Sequence, residues 1–314
     1  MAEGRRVTLD PPPFSDPPLT GLALALAGAE VRSDAGDLAA AWVEQVVLLR
    51  LEGAARVGPG FGAHLRRSFL GALGSAASDE AQAGRPCPWD PPCALDVFCR
   101  EQLRGSAGDG LPKPYVLRYH PEGRDLLIGL HVFGMAIDWA PAAAEALVAG
   151  LRSILPWRHA LRGAEAMPRL MSRQLAARRI EPVAVPQAVR LVLRSPMDVS
   201  GRNPVLEPWT LLSRMIRRVD GVSRWNGVAL DAETGRALAE HVRGLGYDLS
   251  GLKRGWHDSP NRRAEARRDP VVTGELVVAG DLGPIWPILR VAERCHAGRH
   301  AVEGLGWFEL IAVR

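Results

Sequence analysis

One order of hydrophobic patterns occurs twice in this 314-residue chain. From Val43, VEQVVLLRLEG alternates and carries branched side chains, which reads as a strand. GPGFGAHLRRSFLGAL follows, with Phe61, Leu65, Phe69 and Leu70 at helical spacing behind a Gly/Pro start. PYVLRYH and DLLIGLHVFG read as strands joined by the turn PEGR, and APAAAEALVAGLRSI as a helix. In the second half AVRLVLRSP is a strand, and PWTLLSRMIRRVDGV and DAETGRALAEHVRGL are helices. A hairpin strand is expected between Tyr247 and Trp256, then the strand DPVVTGELVVAG, the short helix GPIWPILRVAERCHAG and the closing strand GWFELIAV. Two βαββαβ-like halves imply an α+β fold of tandem ferredoxin-like (RRM-like) domains. The expected division is a poorly defined segment at 1–40, a first domain at 41–180, a linker at 181–187 that begins EPVAVP, and a second domain at 188–314. The first domain carries a Cys/Pro insertion and an arginine-rich segment, 168–180, that reads as helical.

With 47% hydrophobic residues the chain can bury two cores, yet no apolar run reaches the roughly 18 residues of a spanning helix. TGLALALAGA resembles the core of a signal peptide, but it follows the acidic, Pro-rich LDPPPFSDPP, so a cytoplasmic protein without membrane partners is expected. Cys87, Cys93, Cys99 and Cys295 are too few for a disulfide scaffold, and the gaps in CPWDPPCALDVFC are wider than zinc pairs use. Neither metal nor cofactor is expected. Charge is more informative. Of 39 basic residues only Lys113 and Lys253 are lysine, and arginine's planar fork grips phosphate bidentately. Seven arginines fall between Leu151 and Ile180 against Glu165 alone, and six basic residues fall between Lys253 and Arg268. Two such segments in a chain of net charge +4 point to a polyanion. Arg169 and Arg173 lie one turn apart if their segment is helical, as phosphate-tracking residues should.

Near the carboxy terminus stands CHAGRHAVEGLGW. It reads either as a Gly-rich turn feeding the last strand or as a loop whose amides and cations meet a phosphate chain. Together with SPNRRAEARRDPVVTGELVVAGDLGPIWPILRVAER before it, this run resembles the end of a CRISPR repeat-RNA-processing endoribonuclease of the RAMP superfamily, the sixth Cas protein family. The shared elements are Ser259 with Arg262 and Arg263, Gly274, Trp286-Pro287, His296 to Arg299, and Gly304 to Gly306. PGFGAHLRR, PKPYVLRY and LLIGLHVFG resemble the amino-terminal half of that family. The family follows its second helix with a Gly-Leu-Gly turn and a strand, where this chain has the arginine-rich segment.

The resemblance implies metal-independent cleavage of a repeat hairpin in precursor CRISPR RNA, with the product held for other Cas proteins of an effector complex. The ribose 2′-hydroxyl attacks the adjacent phosphate, leaving a 2′,3′-cyclic phosphate and a 5′-hydroxyl. Such chemistry needs a base, an acid and cations around the phosphorane. His64 is the leading base, since histidine titrates near the working pH, with Arg66 and Arg67 beside it. His296 or His300, and a histidine-free arrangement on Arg169 and Arg173, are the alternatives. The expected RNA contacts are Arg254, Arg262, Arg263, Arg267, Arg268, Gly298, Arg299, Gly304 and Gly306, the glycines bringing backbone close to the RNA. His120 and His131 fall on strands and read as structural. A catalytically inactive RAMP subunit that only binds guide RNA is the competing reading.

Overall fold

The computed structural model describes residues 20–53, 57, 58, 60–104, 110–153, 169–199, 207–258 and 268–313. In chain order the first half contributes α1 (Gly21–Ala27), β1 (Glu30–Arg32), α2 (Ala35–Ala40), β2 (Val43–Glu52), α3 (Phe61–Gly74), α4 (Asp79–Gln82), α5 (Ala94–Cys99), β3 (Tyr115–Glu122), β4 (Asp125–Phe133), α6 (Ala140–Arg152) and β5 (Arg169–Arg179). The second contributes β6 (Ala188–Asp198), α7 (Pro208–Ser223), β7 (Val228–Leu230), α8 (Ala232–His241), β8 (Gly246–Asp248), β9 (Leu252–Asp258), β10 (Arg268–Ala279), α9 (Trp286–Cys295) and β11 (Phe308–Val313). The first sheet runs β3-β4-β2-β5; the second runs β11-β6-β10, with β8 and β9 both on the far edge of β10. With the separate β1–β7 pair left out and β8 and β9 counted as one, both orders are second, third, first, fourth strand. That shared order makes the chain a tandem of ferredoxin-like folds. Among the described residues no helix is long and apolar enough to cross a membrane.

The patterns that predicted these elements also fill the cores. Val47, Leu49 and Leu51 of β2 and Phe61, Leu65, Phe69 and Leu73 of α3 are buried together, with Phe69 edge-on to Phe98 and Tyr115. Val189 and Leu191 of β6 meet Leu212, Met215 and Val219 of α7 in the second core.

The arginine-rich segment departs from expectation. Residues 169–179 are not helical but form β5, antiparallel to β2 from Val43↔Arg179 to Glu52↔Arg169. RLMSRQLAARR is built of good helix formers and has no β-branched residue, so local propensity favours the wrong state. Pairing overrides it, because β2 would otherwise leave a row of amides and carbonyls without partners. The Arg169–Arg173 helical face therefore does not exist. The rest of the segment, 154–168, lies outside the described residues.

Within the amino-terminal segment, residues 21–40 carry the defined elements α1, β1 and α2. Strand β1 pairs in parallel with β7, and Ala35, Leu38 and Trp42 enter the second core. In return Trp225, from the second half, is buried in the first core and donates from its indole N–H to the Pro112 carbonyl at 3.0 Å. The two domains thus exchange parts.

A polar seam completes their union. Arg118 on β3 is buried and donates from Nη2 to the Glu293 and Arg294 carbonyls, at 2.6 and 3.0 Å, at the end of α9. Arg218 on α7 donates from Nε to the Cys295 and His296 carbonyls, at 2.9 and 3.1 Å. Two cations thereby satisfy the open carbonyls and negative pole of α9. Arg118 also donates from Nε to His296 Nε2 at 3.1 Å, while His296 Nδ1 donates to the Leu305 carbonyl at 3.1 Å. Accepting on one nitrogen and donating from the other, His296 is a neutral imidazole. Burial first, and the charge of Arg118 second, hold its pKa well below the ordinary value. Burial and Arg118 likewise lower His131 to about 4.

The sign of the pH dependence follows. Below the unfolded value of about 6.5 the unfolded chain binds protons at His131 and His296 that the folded chain refuses, so stability falls with pH at up to about 1.4 kcal/mol per pH unit for each histidine. Urea unfolding at pH 7 and pH 5 should show this loss, and His296→Gln should reduce it. Equal loss in the variant and the parent would contradict the assignment.

Candidate functional site

Helix α3 starts after Gly60, whose positive φ of 75° turns the chain without a capping side chain. Its first turns present two faces. Gly62 and Arg66, one turn apart, meet the short 3-10 turn Ala301–Glu303. His64 and Arg67, three apart, lie on a different face, with His64 half-buried and Arg67 exposed. A β-carbon on Gly62 would stand 1.7 Å from the Glu303 carbonyl oxygen, so the two domains touch through a position only glycine can fill.

Arg66 takes part in this contact. Its Nη1 lies 3.6 Å from Glu303 Oε1. Burial works against its charge, but Tyr115 and Glu303 outweigh this and raise its pKa. It is a partner of the seam. His296, fully buried and held between Arg118 and Leu305, cannot exchange a proton with a bound phosphate.

The glycines of the final loop behave differently from expectation. Gly304 and Gly306 have positive φ, 93° and 71°, and both are buried. The space of their missing side chains is taken by protein: Tyr119 Cε1 at 2.6 Å for Gly304 and the Ala297 carbonyl oxygen at 1.7 Å for Gly306. At Gly298, φ 80°, the Asp198 carbonyl stands at 2.9 Å. Close packing within the protein, not room for a ribose-phosphate chain, is what requires glycine at these positions.

His300 lies among carboxylates. Its Nδ1 is 3.3 Å from Glu303 Oε2, its Nε2 is 3.9 Å from both Asp198 Oδ2 and Asp269 Oδ2, and the His257 ring lies 6.3 Å away. The hydrogen bond to Glu303 raises its pKa against the effect of burial, with the charges of Glu303, Asp198 and Asp269 adding to it. A phosphate approaching His300 would meet three acids, so this histidine is poorly placed to receive one. The sequence reading missed Asp198 and Asp269. The two sit at the ends of neighbouring strands, brought side by side by the pairing of Asp198 with Val271.

Exposed cations remain elsewhere. Arg299 is exposed on the loop, and burial first, with Arg217 and Arg299 next, lowers the pKa of Arg214 against the pull of Asp198. On β9, Lys253, Arg254 and Trp256 are exposed, the tryptophan to 66%. On β5, Arg178 and Arg179 are exposed, and Arg173 Nη1 pairs with Glu145 Oε1 at 2.5 Å. Ser259, Arg262, Arg263 and Arg267 lie outside the described residues, and of Arg268 only the backbone pairing with Asp258 is described.

This arrangement has counterparts among solved structures. A Cas6 product complex is 16% identical, with TM-score 0.52, over 86% of this chain and 100% of that one. A second Cas6 product complex is 15% identical, with TM-score 0.53, over 86% and 99%. Thermus thermophilus Cas6 is 14% identical, with TM-score 0.51, over 86% and 99%. At these identities the likeness is one of fold. No curated protein sequence matches the chain. Residues 191–308, however, match the family described as CRISPR-associated endoribonuclease Cas6. From β6 to the start of β11 this chain therefore carries the sequence signature of the CRISPR-associated endoribonuclease Cas6 family, on a two-domain fold that solved Cas6 structures share.

Proposed function

We propose that this protein is an endoribonuclease of CRISPR RNA maturation. It binds the repeat hairpin of the precursor and cuts it by attack of a ribose 2′-hydroxyl on the neighbouring phosphate. The observation that carries the reading is the Cas6 family match over residues 191–308, joined to a fold common to solved Cas6 proteins. On α3, His64 is the base that takes the 2′-hydroxyl proton, and Arg67, three residues on, faces the phosphorane charge. Arg66 and His296 are left out of the chemistry because the seam engages both. The exposed cations Arg254 and Arg299 hold phosphates, and Trp256 offers a flat surface for an unpaired base. Cleavage so described uses no metal. The protein stays on its product in the cytoplasm, within an effector complex of other Cas proteins.

Purified protein incubated with repeat RNA in EDTA should yield one discrete cut with 2′,3′-cyclic phosphate ends. His64→Ala should bind as tightly and cut about 10²–10⁴-fold more slowly. Normal cutting by that variant would move the base elsewhere, and a gel shift without any cutting by the parent would leave only RNA binding.

The phosphate contacts carry a salt signature. Arg254→Ala with Arg299→Ala should weaken RNA binding and lower the slope of log affinity against log salt by roughly 0.7–0.9 per lost contact. An unchanged slope would remove these residues from the interface.

A further inference from the structure

Two buried aspartates on adjacent strands face a histidine from the neighbouring loop. Asp198 closes β6, Asp269 is the second residue of β10, and His300 caps the turn Ala301–Glu303. One ligand atom from each lies within 4.8 Å of the other two. The aspartates are 1% and 6% exposed, so water screens their mutual repulsion poorly. Asp269 Oδ2 is shielded from solvent and has no hydrogen-bond partner. His300 does not supply one, because 3.9 Å from its Nε2 to each Oδ2 is too long for a hydrogen bond. It is, however, a spacing that two ligands of one ion adopt, since ligands each about 2.1 Å from a metal stand no more than about 4.2 Å apart. Glu303 adds further negative charge through its contact with His300, Arg66 on α3 and Arg214 on α7 bring positive charge to Glu303 and Asp198, and the His257 ring on β9 lies 6.3 Å from that of His300.

We propose that Asp198, Asp269 and His300 bind one first-row divalent cation, which fastens the loop 297–303 to the β6–β10 edge. Two carboxylate oxygens and an imidazole nitrogen suit Mn²⁺ or Zn²⁺ better than Ca²⁺, and water would complete the coordination. The ion is structural, and no step assigned to the RNA chemistry uses it. The inference stands on this geometry alone and does not depend on the nuclease reading.

Mn²⁺ is the better probe, because the four free cysteines attract zinc. The EDTA-stripped and desalted protein should take up one Mn²⁺ saturably, read as loss of the free-ion electron paramagnetic resonance signal, and its melting temperature should rise. Asp269→Asn and Asp198→Asn should each weaken uptake at least about tenfold. Circular dichroism of each variant establishes that the fold persists. Should both variants unfold, paramagnetic broadening of the His300 ring resonances in the parent decides the matter. No saturable uptake by the folded parent, uptake unchanged in folded Asp269→Asn, or unbroadened His300 resonances would overturn the proposal.

Discussion

The buried guanidinium of Arg118 is the contact on which the rest of the molecule depends. It reaches from β3 of the first domain to the last carbonyls of α9 in the second, and holds the His296 ring on the way. Burial lowers its pKa to about 10, which still leaves it charged at neutral pH. A buried cation without partners would be costly, and here the helix end supplies them. Arg218 approaches the same end from α7, so α9 is fixed from both domains. Replacing either arginine would leave carbonyls and a buried partner unsatisfied, a larger loss than one hydrogen bond implies.

That clamp determines what the final loop can be. With α9 stopped at Cys295 and His296 anchored to Leu305, the chain must turn back within a few residues, through Gly298, Gly304 and Gly306 at positive φ. The turn is pressed against Tyr119 and the start of α3. A motif that reads as a phosphate-binding loop is thus largely consumed by packing, and the exposed Arg299 is what it offers to a ligand. The carboxylates around His300 follow from the same geometry. Asp198 and Asp269 stand at the strands' ends, and with Glu303 they make that side of the loop acidic, while α3 and β9 present basic groups.

Much of this was legible beforehand. Period-two and helical patterns located β2, α3, β3, β4, α6, β6, α7, β10, α9 and β11, because each buries one face in a core and must repeat apolar residues accordingly. The segment 169–179 was not legible as a strand. Its residues 173–179 are all exposed, so no buried face marks it, and only hydrogen bonding to β2 holds it extended. Its composition, rich in leucine, alanine and arginine, pointed to a helix. The segment α1–β1–α2 was equally hidden, since its partners β7 and the second core lie about two hundred residues away in the chain.

The sequence by itself determined the doubled ferredoxin-like order, the arginine-for-lysine choice, the placing of His64 and Arg67 on the first helix of the first domain, and the family resemblance of the carboxy-terminal half. Tertiary structure alone decided which of the motif residues are available. His64 and His296 are the same residue type, each near a glycine and an arginine in the chain. One is half-buried on a helix, and the other is sealed between Arg118 and Leu305. The physical reason is that periodicity records whether a residue faces its own core, whereas the seam is made by residues distant in sequence, and neither domain's pattern records the other.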